Sequence, residues 1–322
     1  MEYKKIKQLQ AGDAVQSFFL IKVADSKVGG NNKNYLDLTL VDQTGELNAK
    51  IWDRSNEDAK QYIPNTLVKV QGIVNEWQGK LQLKIQKIRV TTAEDELDIG
   101  EFVPVAPFSP EFMYAEIEKY IGKIKNQDMS NIVRSLITGN KEKLLLYPAA
   151  KQNHHAVRSG LMYHILTMLR MGEKASEIYV GLNKELLFAG IILHDIGKTV
   201  EMNASDLGIV SEYTVEGELL GHIIQGIKMI DRTATAVGAD PEVSLLLQHM
   251  ILSHHNQPDF GSPKRPMILE AEMLHHLDMI DARMYDMQRV LGNVEEGNLS
   301  ERVWLLDNRK LYKMAVKNEG NE

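Results

Sequence analysis

The sequence predicts a multidomain α+β chain, a small five-stranded β-barrel followed by an all-α bundle. Three observations carry this reading. Strand-like alternation runs from residue 14 to residue 90, and apolar residues recur at three- and four-residue spacing beyond residue 110. A short acidic, proline-containing stretch separates the two regimes. With 322 residues the chain has room for two ordinary domains.

Residues 14–23 are a long β-prone run, with a turn expected at Gly29-Gly30-Asn31-Asn32. Residues 35–40 alternate, and Asp42-Gln43-Thr44-Gly45 turns the chain into residues 46–52. A short polar helix is expected at 55–62. Residues 66–74 and 80–90 complete the set, joined by a turn at Gln78-Gly79. Five strands with a short helix between the third and fourth are the plan of an oligonucleotide-binding (OB) barrel, assigned here to residues 1–92. Other small barrels share that strand count.

A barrel that holds single strands needs cations beside exposed rings. The candidates are Trp77, Tyr35 and Trp52, with Lys22, Lys33, Lys50 and Lys84. Trp77, next to the turn, is the ring expected in solvent; Tyr35 and Trp52 are balanced between stacking and packing. Phe18 and Phe19 are adjacent, so one of them points inward. A protein-interaction barrel is the alternative. Residues 1–92 hold 14 Lys/Arg against 10 Asp/Glu, whereas the remainder nets −11 within an overall charge of −7. A basic front half suits a polyanion and an acidic back half suits a cation.

Residues 93–110 carry five acids and three prolines and read as a linker. Helical spacing then covers 111–124, 130–138, 156–171, 215–230, a helix starting near 242, and 268–290, before a polar tail at 307–322. The chain has no cysteine, which excludes disulfides, thiolate nucleophiles and Cys-ligated metal. Its first residues lack the apolar core of a signal peptide. No apolar run approaches the ~20 residues of a membrane span. A cytoplasmic protein without membrane contact is expected.

The chemistry concentrates where the apolar run 186–193 ends in His194-Asp195. An imidazole and a carboxylate at the end of a buried helix are costly unless something pairs with them. Further ionisable groups fall on apolar stripes. His164 aligns with Val157, Leu161, Ile165 and Met168, and His222 with Leu219, Ile223 and Ile227. His254 follows Val243, Leu247 and Met250, and Asp278 lies one turn from Leu274 and from Asp281. One inward histidine is usually a hydrogen-bonded core residue. Five such positions on five helices favour a cation. Imidazole with carboxylate and no thiolate suits Mn²⁺, Fe²⁺, Co²⁺ or Zn²⁺ rather than Ca²⁺. Lys198, one turn beyond Asp195, is balanced between a phosphate contact and a solvated helix end. Arg158 is a second candidate for phosphate, with Lys264 and Arg265 as weaker ones. Asp281 reads as a carboxylate that orients a ligand; His155, His249, His275 and His276 are left unassigned.

The order His164, His194-Asp195, His222, His254-His255, Asp278 resembles the HD-domain metal-dependent phosphohydrolases. The segments Gly217–His222 and Gly261–Lys264, together with the OB front end, make the whole chain similar to the YhaM-type 3′→5′ exoribonucleases. The resemblance implies an all-α HD bundle over residues 111–306 with two divalent ions, Mn²⁺ first and Co²⁺, Fe²⁺ or Zn²⁺ as alternatives. His164, His194, Asp195 and Asp278 would hold one ion, with Asp195 bridging; His222, His254 and His255 would hold the second. Asp195, Lys198 and Arg158 would then be the catalytic set. The implied substrate is single-stranded RNA, with single-stranded DNA second, degraded to nucleoside 5′-monophosphates. Asn256-Gln257-Pro258 stands where related cyclic-dinucleotide phosphodiesterases carry Gly-Tyr-Pro, which argues against that activity. A small-nucleotide phosphohydrolase shares every ligand, and a non-catalytic RNA-binding protein is the third alternative. Self-association is left open.

Overall fold

The computed structural model describes residues 3–29, 33–52, 60–151 and 155–316. The turn at 29–32 and the helix expected at 55–62 fall mostly outside these residues, as does the end of the tail. The chain divides into two compact units, Met1–Val105 and Ala106–Glu322, each with its own hydrophobic core.

In the first unit, β1 (Ala14–Val28), β2 (Asn34–Asp42), β3 (Gly45–Trp52), β4 (Leu67–Trp77) and β5 (Lys80–Val90) form a closed barrel. Their order is β1-β2-β3-β5-β4, with β4 pairing back onto β1. The β3–β5 pair is parallel and the others are antiparallel. Alternation explains the interior: Leu36, Leu38 and Leu40 on β2 and Leu47, Ala49 and Ile51 on β3 are all buried. Closure requires bends. β4 bends at Gly72, where a Cβ would lie 2.4 Å from the Lys84 carbonyl. The β4–β5 turn places Gln78 and Gly79 at φ 51° and 75°, the two positive φ values a tight hairpin demands. β1 runs five residues past its expected end because residues 24–28 stay paired to β2 although largely exposed. The acidic stretch is tied to this unit: Asp95 pairs with Arg89 at 2.6 Å, and the Gln43 N–H donates to the Glu101 carbonyl at 3.1 Å.

The second unit contains α1 (Pro110–Ile121), α2 (Gln127–Gly139), α3 (Lys141–Leu144), α4 (Gly160–Ile178) and α5 (Lys184–Leu193). It continues with α6 (Lys198–Glu201), the hairpin β6 (Met202–Ala204) and β7 (Val210–Tyr213), α7 (Val215–Val237), α8 (Pro241–Ser253) and α9 (Leu269–Gly292). Side-chain caps start the helices. Ser109, Asn126, Asn183, Thr214 and Asp240 each accept a first-turn N–H of the helix that follows. α5 is buried on every side from Leu186 to Leu193 and packs against α1, α2, α4, α8 and α9. A helix apolar all round belongs in the middle of a bundle. Its C-terminus therefore delivers His194-Asp195 to the centre.

Two readings of the sequence are corrected. α4 begins at Gly160, not at residue 156, because His155 and Ser159 adopt left-handed φ of 52° and 61°. Leu219 is 77% exposed and does not share a stripe with His222. Gly221, at φ 67° and ψ 167°, breaks α7 between them and turns the following residues inward. No helix among the described residues is long and apolar enough to cross a membrane.

Candidate metal centre

Five helices bring their ionisable groups to one place. His164 comes from α4, His194 and Asp195 from the end of α5, His222 from α7, His254 and His255 from the end of α8, and Asp278 from α9. One ligand atom from each of His164, His194 and Asp195 lies within 4.8 Å of the others, and the same holds for His222, His254 and His255. Asp195 faces both groups. Its Oδ2 is 3.3 Å from His194 Nε2 and its Oδ1 is 3.4 Å from His222 Nε2. Asp278 Oδ1 lies 3.2 Å from His164 Nε2.

Hydrogen bonds decide which nitrogen each ring offers. His194 Nδ1 donates to the Ile191 carbonyl at 2.8 Å, His254 Nδ1 to the Ile251 carbonyl at 2.7 Å, and His255 Nδ1 to the Phe260 carbonyl at 2.5 Å. His164 Nδ1 donates to Asp281 at 2.6 Å and His222 Nδ1 to Glu201 at 3.2 Å. Carbonyl and carboxylate oxygens only accept, so all five rings carry their proton on Nδ1 and turn Nε2 inward. His164 and His194 place their Nε2 atoms 3.2 Å apart. Among the described residues, buried His222 Nε2, His254 Nε2 and Asp195 Oδ1 have no hydrogen-bond partner. Buried polar atoms are rarely left so. Lone pairs pointed at one space, with carboxylates beside them, fit a cation.

The electrostatics agree. Burial alone would raise the Asp195 carboxyl, but Lys198, His194 and His222 hold it well below the usual carboxylate range. Burial opposes a charge on His164, yet Asp278 and Asp281 raise it to about 10. A proton on Nε2 links His164 to Asp278, and a bound cation would take the place of that proton. Burial, and then the neighbouring imidazoles, push His254 and His255 down, so both are neutral near pH 7. His164, His194 and His254 are fully buried, whereas His222, His255 and Asp278 are partly exposed. The centre therefore opens to solvent on the side of these last three.

The cationic candidates separate. Lys198 is buried with its Nζ 2.7 Å from Asp195 Oδ2, so it is no solvated helix end. Arg158 donates to the Asp206 carbonyl and makes no ion pair with a ligand residue. Lys264 and Arg265 are exposed on the loop after α8.

Close backbone approaches set the geometry. A Cβ on Gly197 would lie 2.0 Å from the His222 carbonyl, and one on Gly217 would lie 2.3 Å from the Glu201 carbonyl. Only glycine lets the turn after His194-Asp195 touch α7. The sequence assigned no individual role to three residues. Glu201 accepts from both the backbone N–H and Nδ1 of His222. Ser262 accepts the His255 N–H at 3.1 Å from a fully buried position. Gly221 supplies the break before His222. An acid one turn past Lys198 was the only visible signal.

On the barrel, Tyr35 and Trp52 are cross-strand partners stacked at 4.6 Å and 27°. Lys50 Nζ lies 5.1 Å from the Tyr35 ring and its residue pairs with Lys84 across β3–β5. Trp52 is 40% and Trp77 64% exposed. Lys22 is held by Glu46, and Lys33 is exposed just before β2. Phe19 enters the core; Phe18 is also buried, covered by Tyr3 and Lys69.

Residues 161–283 match the family model described as HD domain, and residues 21–91 match that described as OB-fold nucleic acid binding domain. Among solved structures, the second OB-fold domain of replication protein A from Methanococcus maripaludis is similar, with 15% identity and a TM-score of 0.24. That likeness covers 28% of this chain and 94% of the other. Protein priB from Ralstonia solanacearum is similar at 10% identity and a TM-score of 0.22, over 25% of this chain and all of the other. The barrel's own strand order carries the fold assignment. The chain thus joins an OB-fold barrel to an HD domain, the domain of metal-dependent phosphohydrolases.

Proposed function

We propose that the protein is a metal-dependent 3′→5′ exoribonuclease that converts single-stranded RNA, and secondarily single-stranded DNA, to nucleoside 5′-monophosphates. One observation carries the hydrolytic part: five imidazoles from four helices commit Nδ1 outward and turn Nε2 toward Asp195 and Asp278. His164, His194, Asp195 and Asp278 would hold one divalent ion. His222, His254 and His255 would hold another, with Asp195 shared. Bound ions, Mn²⁺ foremost, would supply Lewis acidity to the phosphodiester and lower the pKa of the attacking water.

The chain's own residues do the rest. Asp195 and Asp278 set the negative charge of the centre, and Lys198 balances Asp195 where a phosphate would approach. His222, His255 and Asp278 line the open side. On the barrel, the Tyr35–Trp52 stack with Lys50, and exposed Trp77 on the β4–β5 hairpin, offer flat rings beside cations, as single-strand binding requires. Strands 2 and 3 and the last hairpin are where OB barrels engage oligonucleotides. Direction and sugar preference are supported by the resemblance of the motifs.

The test uses purified protein with 5′-labelled single-stranded RNA and DNA of equal length, across Mn²⁺, Co²⁺, Fe²⁺ and Zn²⁺. A descending ladder on RNA is expected. A single cut, or turnover restricted to small nucleotides, would overturn the reading.

A further inference from the structure

His155 lies outside the ligand set, yet it is buried and built into place. Its φ of 52° is a conformation that few non-glycine residues adopt. Its carbonyl accepts the Ala149 N–H at 3.0 Å, and a Cβ on Gly160 would lie 2.0 Å from that oxygen. Tyr285 stacks on the ring at 3.9 Å and 31°, and Tyr163 meets it edge-on at 5.2 Å. All of this aims Nε2 at Asp281 Oδ2, 2.7 Å away. The same oxygen lies 2.6 Å from His164 Nδ1.

His155, His164 and Asp281 also converge within 4.8 Å, as metal ligands would. The hydrogen bonds exclude that use. An oxygen accepting two N–H groups has spent its lone pairs, and a protonated Nδ1 has none to give. The group is a chain of donors and an acceptor. His194, His254 and His255 are anchored on backbone carbonyls fixed by their own helix or loop. His164 is anchored instead on a rotatable carboxylate from α9, the helix that carries Asp278. A second donor is what stops that carboxylate from turning.

We propose that His155 is a positioning residue for the metal centre: its Nε2–H pins Asp281, which keeps the proton of His164 on Nδ1 and Nε2 toward the ions. The inference rests on the metal-centre reading. Outer hydrogen-bond partners of this kind govern ligand orientation and affinity.

Two substitutions separate the hydrogen bond from the backbone conformation. Asparagine tolerates left-handed φ but is too short to reach Asp281, whereas glutamine carries a donor at the position of Nε2. Full-length protein stripped with EDTA is titrated calorimetrically with MnCl₂, and each variant is melted in EDTA. His155→Asn should bind Mn²⁺ ~10–100-fold more weakly while still unfolding cooperatively in EDTA, and His155→Gln should retain wild-type affinity. His155→Asn with wild-type affinity, or His155→Gln falling as far, overturns the proposal. Ring ¹⁵N spectra of zinc-loaded wild type need no variant. They should show the proton on Nε2 of His155 and on Nδ1 of His164, and the opposite tautomer at either ring overturns the role. Wild type that takes up no Mn²⁺ would instead refute the metal-centre reading itself.

Discussion

Asp195 faces both groups of histidines: Oδ2 lies beside His194, Oδ1 beside His222, and Lys198 sits on Oδ2. This shapes how it can be tested. Asp195→Ala strands a buried ammonium, a change that costs about 3–5 kcal/mol when a buried pair is broken. Asp195→Asn keeps an oxygen for Lys198 while removing the charge that ions require. Asp195→Asn should abolish hydrolysis and leave single-strand affinity unchanged, read by ladder assay and fluorescence anisotropy; retained turnover would remove Asp195 from the mechanism. Most of the converging histidines were legible in the sequence, His164 on an apolar stripe and His194 and His254-His255 at the ends of apolar runs. The stripe that joined His222 to Leu219 is removed by the break at Gly221. Glu201, Ser262 and His155 were not, because their roles depend on contacts between segments far apart in sequence. Arg158 shows the converse: it lies near the ligands in sequence, yet its guanidinium goes to the Asp206 carbonyl.

At the scale of elements, helix ends do the positioning. α5 and α8 both stop where a histidine Nδ1 can donate to the carbonyl three residues back, which turns Nε2 beyond the helix end. α5 was readable as a buried helix from its unbroken apolar run. The break in α7 was not, since a glycine within an amphipathic pattern does not announce a φ of 67°. The short α3, α6 and the β6–β7 hairpin were too brief to leave a periodic signal. The approach of the Asp195 turn to α7 gives a direct test. Gly197→Ala should lower stability by about 1–3 kcal/mol through overpacking against the His222 carbonyl and weaken Mn²⁺ binding. Urea unfolding and metal titration check this; an unaltered midpoint with unaltered affinity would show that the contact does not set His222. On the barrel, Trp77→Ala should weaken single-stranded RNA binding by ~1–3 kcal/mol, the worth of one stacked base, without moving the melting temperature. Anisotropy titration decides, and full affinity would leave Trp77 idle.

At the scale of the molecule, a closed five-stranded barrel precedes a helical unit in which imidazoles and carboxylates converge. Both architectures were legible, the barrel from its period-two alternation and the bundle from its stripes. The reach of β1 past residue 23 was not, because its last residues are polar and exposed and only their pairing to β2 marks them as strand. If the barrel captures substrate, removing Met1–Val105 should depress turnover of oligonucleotides far more than turnover of a small chromogenic phosphodiester. Equal losses would favour a small-nucleotide phosphohydrolase. Binding by the intact protein should also weaken as salt is raised, since lysine–phosphate contacts release counterions.

Hydrolysis by this chain would rest on inward-turned imidazoles and carboxylates holding divalent ions. Crystals grown with Mn²⁺ and measured at its absorption edge test this without any assay of activity. Anomalous peaks are expected between His164, His194, Asp195 and Asp278, and beside His222, His254 and His255. A map without peaks there, with those side chains contacting only one another, would contradict the hydrolytic assignment.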